Sequence, residues 1–501
     1  MNKLQLIILF LLSVVFSHAQ NNWDKQINAK MPEVLTSHRD FVRIPNLPVD
    51  IQKMYENISW VKNRYEQVGF ELKNLESSTL PVLFAERIVN PKLKTILFYF
   101  HIDGQSVDPE AWDQEDPFTP VLKKQTENGD WNTIGWEHLN DEINEEWRIF
   151  ARAAADDKAP IVMFLSALEL MKVNHQKPKF NIKIIFDLEE EYGSNGFLST
   201  LEKYKENYQA DYMIIMDGPA HSSNQPTLTF GCRGIATCSI TTYGSKLPQH
   251  SGHYGNYVPN PVFGLSRILA SMKDENGLVL IKNYYQGINF SDDTLETLNL
   301  VPDNKISINK GLLIHKEENV GSNYQEALQY PTLNIRQIET SWKGKGLKTV
   351  IPEYATAHID VRLVVETDKI KQLDKIQKHL QSLGYLVLDR DPTDKERFNN
   401  KKIVKFKRNR GVNAFRTELD SPFGEALRAA LTKTFGKTPV SIRTMGGTVP
   451  IIPAINKLNI PAIIVPMVNM DNNQHSPNEN IRIGNIRQGI QMCLAILNTS
   501  L

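Results

Sequence analysis

The sequence predicts an α/β fold: a mostly parallel sheet sandwiched by helices, interrupted by an inserted α+β domain. Three observations carry that expectation. The apolar runs KTILFYF, NIKIIF and DYMIIM alternate with helix-like segments, the pattern of strands that pair in parallel through helical crossovers. From about residue 226 this alternation gives way to strand-rich sequence with its own helices, and it resumes near residue 415. The chain is also 501 residues long, more than one ordinary core accommodates. The expected division is a leader over 1–19, a principal domain over 20–225 and 415–501, and the inserted domain over 226–414.

The elements follow in order. Lys3, an apolar stretch from Leu6 to Phe16 and the small-x-small pattern Ser17-His18-Ala19 read as a secretory signal peptide removed near Ala19,. Such a run is too short to cross a bilayer, which needs about twenty residues. The mature chain is therefore expected to be periplasmic or extracellular, with no stable membrane insertion. From about Asn21 to Val89 the pattern reads as helices with a break at DFVRIPNLP, because Pro45 and Pro48 cannot continue a helix,. KTILFYF is a strand leading into His101, and DKAPIVMFLSALELMKV a helix with apolar residues three and four apart,. NIKIIF is a strand, FLSTLEKYKENY a helix, and DYMIIM a strand followed by Asp217. In the inserted domain TAHIDVRLVVE reads as strand and DKIKQLDKIQKHLQSLG as helix. SPFGEALRAALTKTFG (helix), IPAIIVPMV (strand) and IRQGIQMCLAILNT (helix) then close the principal domain.

Fifty-seven basic side chains balance fifty-seven acidic ones. A formal charge of zero gives no basis for a nucleic-acid groove or for strong attraction to a membrane. Three cysteines, Cys232, Cys238 and Cys493, cannot all pair within one chain,. They are expected to be free and buried.

Ligands of open parallel sheets bind beyond the carboxyl ends of the strands. There the sequence sets His101 and Asp103, then Asp187 with Glu189, Glu190 and Glu191, then Asp217. Asp156 and Asp157 precede a helix, and His475 follows the last strand candidate. So many carboxylates repel one another and hold protons unless a cation neutralises them. Two divalent metals, each with about four N and O ligands, would do so. The competing assignments are a helix cap for Asp157, a solvated run for the glutamates and a satisfied core position for His101. No HExxH spacing is present, so any ligands come from distant segments.

Together these stretches resemble the M20 family of metallopeptidases, in particular its carnosinase and dipeptidase-like branch. HIDGQSVDPEAWDQEDPFTP, ARAAADDKAP, DLEEEYGSNG, HSGHYGN, NIRQIETSWKGKGLKTVIP, HIDVRLV, GGTVPII and HSPNENIRI occur in the family's order. The resemblance implies a di-zinc exopeptidase-like fold whose inserted domain serves as lid and dimer contact, and hence a homodimer. It implies that His101 and Asp217 bind one metal and Glu191 and His475 the other. Asp156 bridges both, with a cis bond to Asp157. Asp103 accepts the outer N–H of His101, and Glu190 is the general base, its register among three glutamates counted back from Gly193-Ser194. His250 stabilises the oxyanion, with His253 a neighbour of no role. Arg362 holds a substrate carboxylate, and Asn334, Gly447 and Thr448 lie near the substrate terminus. His358 is expected to be structural.

The metals implied are two divalent ions, zinc first, with manganese or cobalt as alternatives. The reaction implied is hydrolysis of a dipeptide or short peptide, as a dipeptidase or carboxypeptidase, by a metal-bridging water. The same water attack would serve an N-acyl-amino-acid amidohydrolase, and a non-catalytic binding protein on this scaffold is the alternative of a different class. The chain departs from the family pattern where Ala151, Ala153, Ala159 and Leu188 replace glycines, which bears on loop shape and leaves the ligands intact.

Overall fold

A computed structural model of the chain describes residues 3–140, 143–342, 344, 346 and 348–501, with side chains from residue 23 onward. It divides into two units. The first comprises Met1–Phe230, Thr417–Arg443 and Pro453–Leu501, and the second Gly231–Arg416 and Thr444–Ile452. The short stretch Thr444–Ile452 thus groups with the second unit.

The first unit is built on an eight-stranded sheet. Its strands in chain order are β1 (Glu71–Leu75), β2 (Val82–Arg87), β3 (Thr95–His101), β4 (Asn181–Asp187), β5 (Tyr212–Ile215), β6 (Thr227–Thr229), β7 (Val440–Ile442) and β8 (Ala462–Ile464). Across the sheet they run β1-β2-β4-β3-β5-β8-β6-β7. The central strands β4, β3, β5 and β8 are parallel, and β1 and β2 add an antiparallel edge. Every residue of β4 is buried, as expected of a strand covered on both faces. The covering helices include α1 (Lys3–Val42), α2 (Ile51–Gln67), α3 (Lys158–Val173), α4 (Pro422–Phe435) and α5 (Ile483–Leu497). Phe98 and Phe100 of β3 pack against Phe164 of α3 with ring centroids 4.6 and 5.6 Å apart. Helix α4 begins at a Ser421 cap that accepts the Gly424 N–H and ends at Gly436, whose φ of +70° a glycine adopts without cost,. Among the described residues no helix is long and apolar enough to cross a membrane.

Three expectations are revised. Residues 71–87 form the β1–β2 hairpin rather than continuing the helical region. The segment expected as one helix over FLSTLEKYKENY is two short ones, Asn195–Thr200 and Lys205–Tyr208. The first unit also carries a four-stranded antiparallel sheet, ordered Asn480–Arg482, Arg148–Phe150, Val121–Gln125 and Trp131–Ile134. Its strands are three to five residues long, too short to leave a clear alternation in sequence.

The second unit has a five-stranded sheet ordered Asn334–Thr340, Tyr354–Leu363, Gly234–Tyr243, Ile403–Val412 and Leu386–Leu388. Helices Pro261–Met272 and Lys369–Ser382 cover one face through Leu265, Ile268, Leu373 and Ile376. All three cysteines are free and buried, as anticipated.

Candidate metal centre

Parallel pairing aligns the carboxyl ends of three strands. His101 closes β3 opposite Asp187 at the end of β4, and Tyr99 pairs with Ile215 at the end of β5. The chain leaving β4 forms a single 3-10 turn over Glu190–Tyr192, and the chain leaving β5 reaches Asp217. Asp156 and Asp157, joined by a cis peptide bond, stand immediately before α3. His475 lies in the loop before Asn480–Arg482, with left-handed backbone at φ +61°.

The Asp156 carboxylate lies between two imidazoles. One oxygen is 3.0 Å from His101 Nε2 and the other 3.1 Å from His475 Nε2. Glu191 Oε2 is also 3.1 Å from His475 Nε2, and Asp217 Oδ1 is 3.9 Å from His101 Nε2. Donor atoms of His101, Asp157 and Asp217 lie within 4.8 Å of one another, as do those of Asp156, Glu191 and His475. Asp157, to which the resemblance assigned no ligand role, therefore enters the first triad. Its side chain makes no helix-cap bond and instead accepts the backbone N–H of His101 at 3.2 Å.

The electrostatics of this cluster call for cations. Burial, reinforced by neighbouring carboxylates, raises Asp217 to about 6 and pushes Glu190 and Asp157 well above the usual carboxylate range. The hydrogen bonds that His475 donates to Asp156 and Glu191 raise its pKa to about 10. Burial works against the charged form of His101, but Asp103 and Asp156 outweigh it and raise its pKa. Burial works against Asp156 as well, yet the two imidazoles hold it below its ordinary value. Imidazole and carboxylate donors in two adjoining triads fit two divalent ions.

The three consecutive glutamates differ in their surroundings. Glu189 turns away: its carboxylate accepts the N–H of Gly196 at 3.1 Å and a hydroxyl hydrogen bond from Thr79. Glu191 faces His475, and burial raises the pKa of the Glu190 carboxyl. Asp103 lies beside the outer nitrogen of His101, with its carbonyl 3.2 Å and a carboxylate oxygen 3.5 Å from Nδ1. That carboxylate also accepts the backbone N–H groups of Glu190 and Glu191 at 2.9 and 3.0 Å, a role the sequence did not suggest. Gln105 also went unnoticed in the sequence, although it lies in the same motif. Its amide donates to Glu191 Oε2 at 2.9 Å.

The remaining candidates belong to the second unit. Arg362 Nη1 donates to Thr448 Oγ1 at 2.8 Å, and that hydroxyl donates to the Arg233 carbonyl at 2.7 Å. Thr332 Oγ1 accepts from both the Arg362 N–H at 3.0 Å and the Asn334 amide at 3.3 Å. These bonds hold Arg362, Asn334 and Thr448 in one network, and Gly447 adjoins Thr448 in sequence. His250 is exposed, and its Nδ1 accepts the Gly252 N–H at 3.1 Å. A neutral ring so held carries its proton on Nε2. The His253 ring lies tilted beside it with centroids 4.8 Å apart, and His358 Nε2 is 3.5 Å from a Glu339 carboxylate oxygen.

The model of Peptidase family M20/M25/M40 matches residues 97–499. The chain belongs to this family. Its M20 relatives include Cys-Gly metallodipeptidase dug1 of Schizosaccharomyces pombe, 25% identical over 505 residues, 93% of this chain and 95% of the relative. Human Beta-Ala-His dipeptidase is 26% identical over 426 residues, 83% and 76% of the two chains. Among solved structures, the M20 family metallo-carboxypeptidase Sso-CP2 from Sulfolobus solfataricus superposes with a TM-score of 0.71 at 26% identity, covering 93% of this chain and 98% of that one. This M20 peptidase has the α/β fold that its sequence predicts.

Proposed function

We propose that this M20 peptidase is a metallodipeptidase that uses two divalent cations, zinc first, to hydrolyse the amide bond of dipeptides. The observation that carries the reading is Asp156, whose two carboxylate oxygens face two different imidazoles at 3.0 and 3.1 Å. His101, Asp217 and Asp157 would hold one cation, Glu191 and His475 the other, and Asp156 both. Bound there, the cations would supply Lewis acidity to the scissile carbonyl and to the attacking water. Glu190 would take the water's proton and deliver it to the leaving amine. Asp103 fixes the turn that carries Glu190, through the backbone N–H groups it accepts. His250, with a proton on Nε2, is suited to donate to the developing oxyanion. Arg362 presents the planar fork that a substrate carboxylate matches, steadied by Thr448, with Asn334 and Gly447 beside it. Export and homodimer formation, with His250 delivered from a second copy, belong to the same proposal.

The dipeptide reading is favoured by the names of two relatives, a Cys-Gly metallodipeptidase and a Beta-Ala-His dipeptidase. The test is a panel assay on zinc-reconstituted protein with Cys-Gly, β-Ala-His, other dipeptides, C-terminally amidated dipeptides and N-acyl amino acids. Free dipeptides are expected to be the best substrates, with amidated ones slower. Turnover of N-acyl amino acids alone would overturn the dipeptidase in favour of a deacylase. A protein carrying both metals but silent across the panel would overturn the enzyme.

A further inference from the structure

Glu479 stands four residues after His475 and directly before the strand Asn480–Arg482. It is fully buried. That strand pairs antiparallel with Arg148–Phe150, with Asn480 opposite Phe150. The register sets Glu479 against residue 151, where the chain turns into the loop that ends at Asp156. The Glu479 carbonyl accepts the Ala151 N–H at 3.1 Å. Its carboxylate engages the rest of the loop. Oε2 accepts from the Arg152 guanidinium at 2.7 Å and the Ala153 N–H at 3.0 Å. Oε1 accepts the N–H groups of Ala155 and Asp156, each at 3.0 Å.

Ala153 adopts φ +62°, a left-handed conformation unfavourable for a residue with a Cβ. Its N–H bond to Glu479 is therefore one of the contacts that hold this loop in shape. Arg152 extends the network: its guanidinium lies over the Trp112 ring at 5.3 Å. We infer that Glu479 is a positioning residue for the centre, holding the backbone of Asp156 and the loop of His475 in a single arrangement. The inference rests on the two-cation reading above. The second triad takes both Asp156 and His475 from this arrangement, whereas the first shares Asp156, adds Asp157, and draws His101 and Asp217 from the ends of β3 and β5. Loss of the Glu479 carboxylate is therefore felt at both sites and most at the second.

The test is calorimetric titration of the full-length metal-free protein with zinc, comparing the parent with Glu479→Gln. The amide keeps the volume of the side chain but turns an N–H₂ group toward donors. The second zinc is expected to weaken by about 10–100-fold, the usual scale for a residue supporting metal ligands, and the first by a smaller factor. The cobalt-substituted protein should show an altered visible spectrum. If Glu479→Gln fails to fold, the double variant Arg152→Met/Glu479→Gln removes the unpaired guanidinium and is titrated instead, with the same expectation. A folded variant that takes both zincs with parental affinity, or weakens both equally, overturns the inference, as does failure of both variants to fold. A parent that does not take two zincs overturns the two-cation reading itself, whatever the variants do.

Discussion

Asp103 supplies no donor to either triad, yet its two oxygens hold the backbone of both Glu190 and Glu191. The variant Asp103→Asn would turn an amide N–H₂ toward one of those N–H groups. Its kcat is expected to fall by about 10–100-fold with both metals retained, measured by steady-state kinetics alongside elemental analysis. Unchanged kcat would remove Asp103 from the machinery. Counting back from Gly193 and Ser194 singles out Glu191, which the structure sets beside His475. The work of Asp103 was not legible, because a carboxylate two residues from a histidine reads equally as a partner of the ring or of a distant backbone. His38 offers a pH test at the same scale. It is fully buried, Nε2 donates to the Ala154 carbonyl at 2.8 Å, and burial takes its pKa down to about 4. Between its ordinary value of 6.5 and about 4 the unfolded chain binds a proton that the folded chain refuses,. This contribution is complete above the upper value and is lost as pH falls through that window, at about 1.4 kcal/mol per pH unit. Urea midpoints at pH 7, 5.5 and 4.5 should therefore fall less steeply for His38→Gln than for the parent. Parallel slopes would rule the contribution out.

Lys158 joins two elements. It opens α3, and its Nζ donates to the carbonyls of Phe41 and Ile44, at 2.9 and 2.7 Å, where α1 ends at Val42. It also lies 4.5 Å from the Phe41 ring. The variant Lys158→Met keeps the stem and removes a donor from both carbonyls, of which that of Phe41 keeps the Ile44 N–H at 3.2 Å. It should destabilise the chain by about 1–3 kcal/mol, read from the denaturant midpoint. An unchanged midpoint would make the contact incidental. Strands β3, β4 and β5 and helices α3 and α4 were legible because continuous apolar runs and caps such as Ser421 and Gly436 are local signals. The β1–β2 hairpin was not. Four residues of β2 are buried but β1 exposes most of its length, so neither strand carries a regular alternation. The helix expected over FLSTLEKYKENY breaks after Thr200, whose hydroxyl donates to the Phe197 carbonyl and meets the Tyr208 hydroxyl. Such tertiary contacts leave no periodic trace.

At the scale of the whole molecule, a centre assembled from β3, the loops after β4 and β5, the approach to α3 and the His475 loop depends on the first unit being folded. Cations that bind only the folded chain stabilise it by mass action, by about 2.7 kcal/mol per site at a hundredfold excess over Kd. A chelator should lower the thermal midpoint and added zinc should restore it; a midpoint indifferent to both would exclude folded-state metal binding. Export has its own test. N-terminal sequencing of protein recovered outside the cytoplasm should begin just after Ala19, and an intact Met1 would reject cleavage. The candidate ligands, which the structure brings together in two triads, were legible as a set only through their order along the chain, since their separations in sequence carry no spacing rule. The return of Thr444–Ile452 to the second unit left no such signature, because it is fixed by pairing partners hundreds of residues away.

The sulfhydryls have a practical consequence. Burial pushes the thiols of Cys232 and Cys238 up to about 12 and that of Cys493 higher still, so an electrophilic dye meets no reactive sulfur on the native enzyme. Cys493 lies in the first unit and the other two in the second. Peptide mapping of dye uptake during gradual denaturation would thus time the opening of each unit separately, with no engineered reporter.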